Sequence, residues 1–452
     1  MSSNDPPPRR PLRVPAGPLE RATRWGVLAG GLAAGFVGEG VRRLAGGAEA
    51  SYDQLVFTAA NAERLVRGLG RMRGAAMKLG QALSLELDGV MPEGFTDVLT
   101  ALQSSGYTMT PAQRNRALGR AWGPGWRRHF EHFEEEPFAA ASIGQVHRAR
   151  TIGGRDLAVK VQFPGVASSI GADVDNLGTL FRATGLVPRD YDIGPLLAQV
   201  KEQLEGETDY LREAASLERY ARELDGLDDV RVPAPVAELT TGDVLAMEFV
   251  HGRPLAELWQ NEAPRADREH AAATLIRVVL CELFEAGFVQ SDPNFANFLV
   301  DGKTLVCLDL GAAVDVDERT RARVGAMLSA GLAGDEARLI ALFREFGWVG
   351  DEADELVRPL ATLVAMSCEP LRSTEPYDFG TSDLHLRARD LGMELVLERG
   401  MRRPPPPEIV FLNRKLGGTY LICARLGARV DLRHLAADYL DADYLAADYL
   451  DG

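Results

Sequence analysis

The sequence predicts an α+β protein of two lobes, a strand-containing lobe followed by a helical one, behind an N-terminal helical extension. Three observations predict it. The stretch Asp156–Phe163 alternates as a half-buried strand, with Lys160 set between Val159 and Val161. Helical periodicity dominates the second half of the chain. One turn-rich stretch, Gln290-Ser-Asp-Pro-Asn-Phe-Ala-Asn297, breaks that periodicity, and a short apolar run behind it ends in Asp309-Leu-Gly311.

Composition sets the outer bounds. A chain of 452 residues with 46% hydrophobic and 25% charged side chains can bury a large core. The net charge of −15 argues against a surface that coats nucleic acid, so no nucleic-acid partner is expected. Cys281, Cys307, Cys368 and Cys423 are far apart and lie in apolar contexts, which reads as buried free thiols in a reducing compartment.

Residues 1–20 read as a disordered leader, with three consecutive prolines and then Arg9 and Arg10. The leader lacks the pattern of a secretory signal. It is also a poor mitochondrial transit peptide, because Asp5, Glu20 and many prolines interrupt it. That favours a bacterial protein on the cytoplasmic face of its membrane, with the matrix side of the mitochondrial inner membrane as the alternative. Residues 21–50 hold an uncharged run, Trp25–Gly38, with small residues at Gly26, Gly30, Ala34 and Gly38. The run is short of the ~20 residues that span a bilayer. It is a helix packed on the body of the protein, or one that meets a membrane surface or a second copy of the chain.

Residues 51–130 form the helical extension. Lys78 and Gln81 share one helix face there, as a solvated pair or a functional one. The first lobe is expected over 131–250. Its loop Ala139-Ala140-Ala141-Ser142-Ile143-Gly144-Gln145 precedes the Lys160 strand as the phosphate-covering loop of a kinase precedes its lysine. Alanine lacks glycine's freedom at positive φ, so this loop sits differently over phosphates than a glycine-rich one. A helical pattern over 196–224 carries Glu202, Glu205, Glu207, Asp209 and Glu213; most acids on such a helix are solvated, but one could pair with Lys160, and the register leaves Glu202 or Glu207 as candidates. On one unbroken helix Glu207 and Asp209 point roughly 200° apart and cannot serve one metal. The strand at 244–252 is either an ordinary strand or a hinge whose backbone at Glu248 to Val250 meets an adenine edge.

The second lobe is expected over 251–430. Asp292, Asn297 five positions on, and Asp309 are three oxygen-bearing side chains at the spacing used in phosphoryl transfer. One carboxylate, Asp292, faces the accepting group, while an amide, Asn297, and a second carboxylate, Asp309, hold Mg²⁺. Helices are expected at 318–346, 352–368, 384–398 and 408–426. Residues 431–452 repeat Ala-Ala-Asp-Tyr-Leu-Asp as a low-complexity tail.

Taken in order, these motifs resemble the UbiB family of atypical, protein-kinase-like enzymes, in its ubiquinone (coenzyme Q) branch. The resemblance rests on Lys78-Leu-Gly-Gln81, the Ala-rich loop, Val159-Lys160, Glu207-Thr-Asp209, Gln290 to Asn297, Asp309-Leu-Gly311, Pro376 to Gly380 and Lys415 to Cys423. It implies a bilobal protein-kinase-like fold with the KxGQ extension folded over the site. Lys78 would then reach Glu207 or Asp209, and Gln81 the nucleotide, as regulatory contacts. It also implies ATP and ADP binding with Mg²⁺, and protein-kinase activity suppressed by the Ala-rich loop. Implied partners are quinone-biosynthesis lipid intermediates or enzymes, a membrane surface and a possible homodimer. A nucleotide-gated, lipid-binding pseudokinase scaffold and a genuine protein kinase stand as alternatives. Gln290-Ser291 replaces the His-Arg of ordinary protein kinases, which removes the usual clamp for an activation-loop phosphate.

Overall fold

Residues 144–151 and 156–162 pair in the sheet that carries the lysine, and the second of these strands, expected to alternate as a half-buried one, is buried continuously from Leu157 to Gln162. The computed structural model describes residues 10–11, 20–21, 23–28, 30–31, 107–141, 143–184, 194–292, 294–350, 354–397 and 406–439. Lys78, Gln81 and Ser142, most of the helical extension and the end of the tail lie outside these residues. The chain divides into two compact units. Unit 1 comprises residues up to Ala214 and Pro235–Phe249; unit 2 comprises Ala215–Ala234 and everything from Val250 onward. Residues 215–234, expected with the first lobe, therefore belong with the second unit.

In unit 1, helix α1 (Pro111–Trp122) starts on a capping box. Thr110 accepts from the Gln113 N–H, the Gln113 side chain accepts from the Thr110 N–H, and Pro111 takes the first helical position. Strands β1 (Phe130–Phe133), β3 (Gly144–Thr151), β4 (Asp156–Gln162) and β5 (Val244–Glu248) pair antiparallel in that order, and the short β2 (Ala139–Ala140) adds to β3. Val159, Val161, Leu245 and Leu118 are fully buried in its core. Between β4 and β5 run α2 (Val166–Thr184), α3 (Gly194–Glu207) and α4 (Tyr210–Glu223), the last of which continues into unit 2. Helices α2 and α3 approach so closely that a Cβ on Gly178 would lie 2.6 Å from a Leu197 methyl.

The single acidic helix expected over 196–224 is thus two helices. The chain breaks at Thr208, and the Asp209 carboxylate accepts the N–H groups of Leu211 and Arg212 at 3.1 and 3.2 Å to cap α4. The helical residues 23–28 turn Trp25 and Leu28 inward. Arg21 pairs with Asp173 of α2, and Trp25 Nε1 donates to the same carboxylate at 3.0 Å. Val27 on the outer side is 72% exposed. No helix among the described residues is long and apolar enough to cross a membrane.

Unit 2 is mainly helical. Helix α5 (Arg265–Cys281) runs into a π-turn, Glu282–Ala286, which ends at Gly287 in the left-handed region at φ 59°. Strand β6 (Arg253–Pro254) edges a four-stranded sheet. The sheet continues through β8 (Phe298–Asp301) and β9 (Thr304–Cys307) to the short strand Val230–Arg231. A separate pair, β7 (Phe288–Gln290) with β10 (Ala313–Asp315), sets Gln290 opposite Ala313. Val279, Leu283, Val289, Val316 and Leu412 form the core beneath that pair. The expected helix at 318–346 divides into α6 (Glu318–Ala333) and α7 (Glu336–Glu345), because Gly334 ends the first and Asp335 caps the second. With α8 (Asp354–Ser367), α9 (Leu384–Leu397) and α10 (Pro407–Leu426), they bury a second core around Leu342, Phe343, Val357 and Ile409.

Candidate functional site

Each unit carries one set of candidate residues. In unit 1 the Lys160 ammonium lies 2.9 and 3.1 Å from the two carboxylate oxygens of Glu213, and both side chains are buried. Neither Glu202 nor Glu207 takes this place. The break at Thr208 restarts the helical phase, and Glu213, in the first turn of α4, faces the strand. The Tyr210 ring lies 5.2 Å from the ammonium, a cation–π contact that adds to its setting. Two residues along β4, Gln162 Nε2 donates to the Thr208 carbonyl at 2.8 Å, so one strand holds both the glutamate and the break before it. Glu207 is buried at the end of α3, and Asp209 serves as a cap.

The Ala-rich loop is a tight strand return. Ala139 pairs with Val146 and Ala140 with Gln145, and the Ala141 N–H donates to the Gly144 carbonyl at 3.0 Å. Gly144 has no room for a side chain. A Cβ there would meet the Val161 carbonyl oxygen at 2.5 Å and the Tyr210 hydroxyl at 3.0 Å. The Gln145 side chain is buried beneath the loop. Its Oε1 accepts the Met109 N–H at 2.8 Å, and its amide meets His147 Nε2 at 2.8 Å. Glu248 ends β5 opposite Leu157, the Phe249 N–H donates to the Asp156 carbonyl, and the chain enters unit 2 at the buried Val250.

In unit 2 one amide ties the candidate stretch together. Gln290 Nε2 donates to the Asp292 carbonyl at 2.6 Å and to the Asp309 carbonyl at 3.3 Å. Asn297 Nδ2 donates to the same Asp292 carbonyl at 3.1 Å, and the Leu308 N–H donates to the Asn297 carbonyl at 2.9 Å. Ser291 turns inward, and its hydroxyl donates to the Ala312 carbonyl at 2.7 Å. The Asp309 carboxylate accepts the Gly311 N–H at 3.1 Å, which sets the turn of the Asp-Leu-Gly triplet. The backbone of Asp292 and Asp309 and the Asn297 amide are therefore joined in one hydrogen-bonded knot. Sequence reasoning gave Gln290 and Ser291 only as departures from His-Arg. Their burial, at 3% and 5% exposure, shows two short polar side chains serving as internal ties.

A sheet lysine paired with a helix glutamate, and an Asp-x4-Asn loop tied to an Asp-Leu-Gly turn, define the protein-kinase-like class. Residues 101–343 match the ABC1 atypical kinase-like domain, and the chain belongs to that family of atypical kinases. It is similar to the mitochondrial atypical kinase coq-8 of Caenorhabditis elegans, 35% identical over 92% of this chain and 56% of that protein. It is also similar to the mitochondrial atypical kinases COQ8 of Schizosaccharomyces pombe and Saccharomyces cerevisiae. The first is 33% identical over 95% of this chain and 70% of that one; the second is 30% identical over 92% and 83%. The chain thus spans little more than half of the worm relative. Among solved structures, the Rv3197–erythromycin complex from Mycobacterium tuberculosis matches with a TM-score of 0.59 and 23% identity. That match covers 86% of this chain and 96% of that one, a likeness of fold.

Proposed function

We propose that the chain is a Mg²⁺-dependent, ATP-binding atypical kinase working as an ATPase in support of ubiquinone biosynthesis, on or with membrane lipid precursors or biosynthetic enzymes. The observation that carries this reading is the knot in which the Gln290 amide fixes the backbone of both Asp292 and Asp309. Phosphoryl transfer asks a protein to hold its oxygen-bearing side chains in place, and a tied backbone beneath them supports that.

The donor set fits Mg²⁺. Asn297 spends its amide nitrogen on the Asp292 carbonyl, which turns its Oδ1 into the atom for a hard cation, and Asp309 adds a carboxylate. Among the described residues no three His, Cys, Asp or Glu side chains form a metal cluster. Two protein ligands completed by phosphate oxygens are the usual way of holding this ion. When bound, the ion neutralises charge on the β- and γ-phosphates. Lys160, aimed by Glu213, binds the α- and β-phosphates. Backbone groups of Ala139, Ala140, Ala141 and Gly144 cover the triphosphate, and those of Glu248 to Val250 meet the adenine. Asp292 orients the attacking water or hydroxyl. The names of the relatives favour a mitochondrial setting over the bacterial one.

Asp309→Asn tests the assignment. Mg²⁺-dependent ATP binding and turnover should both be lost. A variant that binds Mg²⁺-ATP and turns it over as the parent does would remove Asp309 from the site.

A further inference from the structure

A second buried charge pair lies in unit 2, away from the side chains assigned to nucleotide or metal. Glu282 opens the π-turn and has no exposed surface. Its Oε2 lies 2.6 Å from the Lys415 ammonium of α10, and that lysine is 1% exposed. Its Oε1 accepts two hydrogen bonds, from the Tyr220 hydroxyl at 2.7 Å and from the Gln290 backbone N–H at 2.9 Å. Burial first, and the Glu282 carboxylate next, push the Tyr220 hydroxyl well above its ordinary range, so it stays a donor.

Such a pair is not accounted for by stability alone, because well-packed apolar residues of similar volume often serve a core equally well. What apolar residues cannot supply is an acceptor for the Gln290 N–H. A π-turn, a local departure from α-helical pairing, brings the carboxylate to that point. We propose that Glu282, held by Lys415 and Tyr220, is a positioning residue that fixes the catalytic stretch through the Gln290 backbone. The order of action runs from Lys415 on α10 to Glu282, from Glu282 to the Gln290 N–H, and from the Gln290 side chain to the carbonyls of Asp292 and Asp309. Helix α10 is then part of the phosphotransfer apparatus without touching substrate. This inference rests on the nucleotide-site reading above.

The test compares two double variants of the full chain. Glu282→Leu with Lys415→Met removes the charges and the acceptor. Glu282→Gln with Lys415→Met removes the charges and keeps an acceptor oxygen. Two readouts are taken: amide hydrogen exchange over residues 288–292, and kcat and KM for Mg²⁺-ATP. The Leu/Met protein should exchange at least tenfold faster over that segment than the Gln/Met protein, at similar Tm. Its kcat should fall at least tenfold below that of Gln/Met, with KM changed less than threefold. Equal exchange and equal kcat in the two would overturn the proposal. Should Leu/Met not fold, Tyr220→Phe replaces it. Removing that donor to Oε1 should speed exchange over 288–292 severalfold, and unchanged exchange counts against the network. A parent chain without ATP turnover would refute the nucleotide reading, and the exchange arm would still decide the network.

Discussion

Lys160 and Glu213 form a buried pair at 2.9 Å across the first unit, with side-chain exposures of 8% and 1%. Removing one member of a buried, bonded ion pair costs about 3–5 kcal/mol. Glu213→Gln should therefore lower the denaturant midpoint markedly and weaken ATP binding by misplacing the ammonium. Glu202→Gln, on the exposed side of α3, should leave both near the parent values. Equilibrium unfolding and nucleotide titration of the two proteins check this. Equal behaviour would deny Glu213 its role.

The lysine strand, the Asp-x4-Asn spacing and the Asp-Leu-Gly turn were legible because each is a local pattern. The partner of Lys160 was not. Five acids lie between residues 202 and 213, and an assumed continuous helix gives each a phase that the break at Thr208 resets. The signal for the break was Asp209 itself, a capping residue followed by an amphipathic segment. Gln162 and Gln290 act through backbone carbonyls distant in sequence, and spacing carries no trace of such bonds. Glu282 did leave a trace, a charge inside the apolar helical stretch 278–284, whereas Lys415 follows Asn413 and Arg414 and stands out less. Finding that they meet needed the fold.

Gly144 illustrates how little slack the Ala-rich loop has. A single methyl group there would press on the Val161 carbonyl at 2.5 Å, which is backbone and cannot swing aside. Gly144→Ala should destabilise by about 1–3 kcal/mol, the usual penalty of overpacking. It should also displace Tyr210, whose hydroxyl stands 3.0 Å from that position. Ala140→Gly, on an exposed position of the same return, should cost well under half as much. Urea denaturation of the two variants provides the comparison.

Gln290 stands where ordinary protein kinases have histidine, and its amide spans two carbonyls. Gln290→Leu keeps the volume and removes the donor, taking one hydrogen bond from each of the two carbonyls at a cost of about 1–3 kcal/mol. If that cost falls on the geometry needed for transfer, kcat should drop about ten- to hundredfold. ATP affinity measured without Mg²⁺ should change little, since Lys160 is in the other unit. Steady-state kinetics beside Mg²⁺-free titration separate the two effects. A Gln290→Leu protein with the parent kcat would show that the knot does not serve turnover.

His147 makes the fold sensitive to mild acid. The ring is fully buried on β3, stacked on Phe133, with Nδ1 donating to the Glu134 carbonyl at 2.9 Å and Nε2 accepting from Gln145. Burial, the largest cause, lowers its pKa from the ordinary 6.5 to about 4; the Glu134 carbonyl opposes that and the nearby Arg114 charge adds to it. The folded value lies below the unfolded one, so between these limits the unfolded chain binds a proton that the native chain refuses. Stability therefore falls as pH drops from about 6.5 towards 4, by up to about 3 kcal/mol across the window. His147→Phe removes this term while leaving the carboxylates of the fold to titrate as before. The difference in unfolding free energy between variant and parent should shift in the variant's favour as pH goes from 7 to 5. Denaturant titrations at the two pH values measure that difference, and a constant offset would mean that His147 does not carry the acid sensitivity.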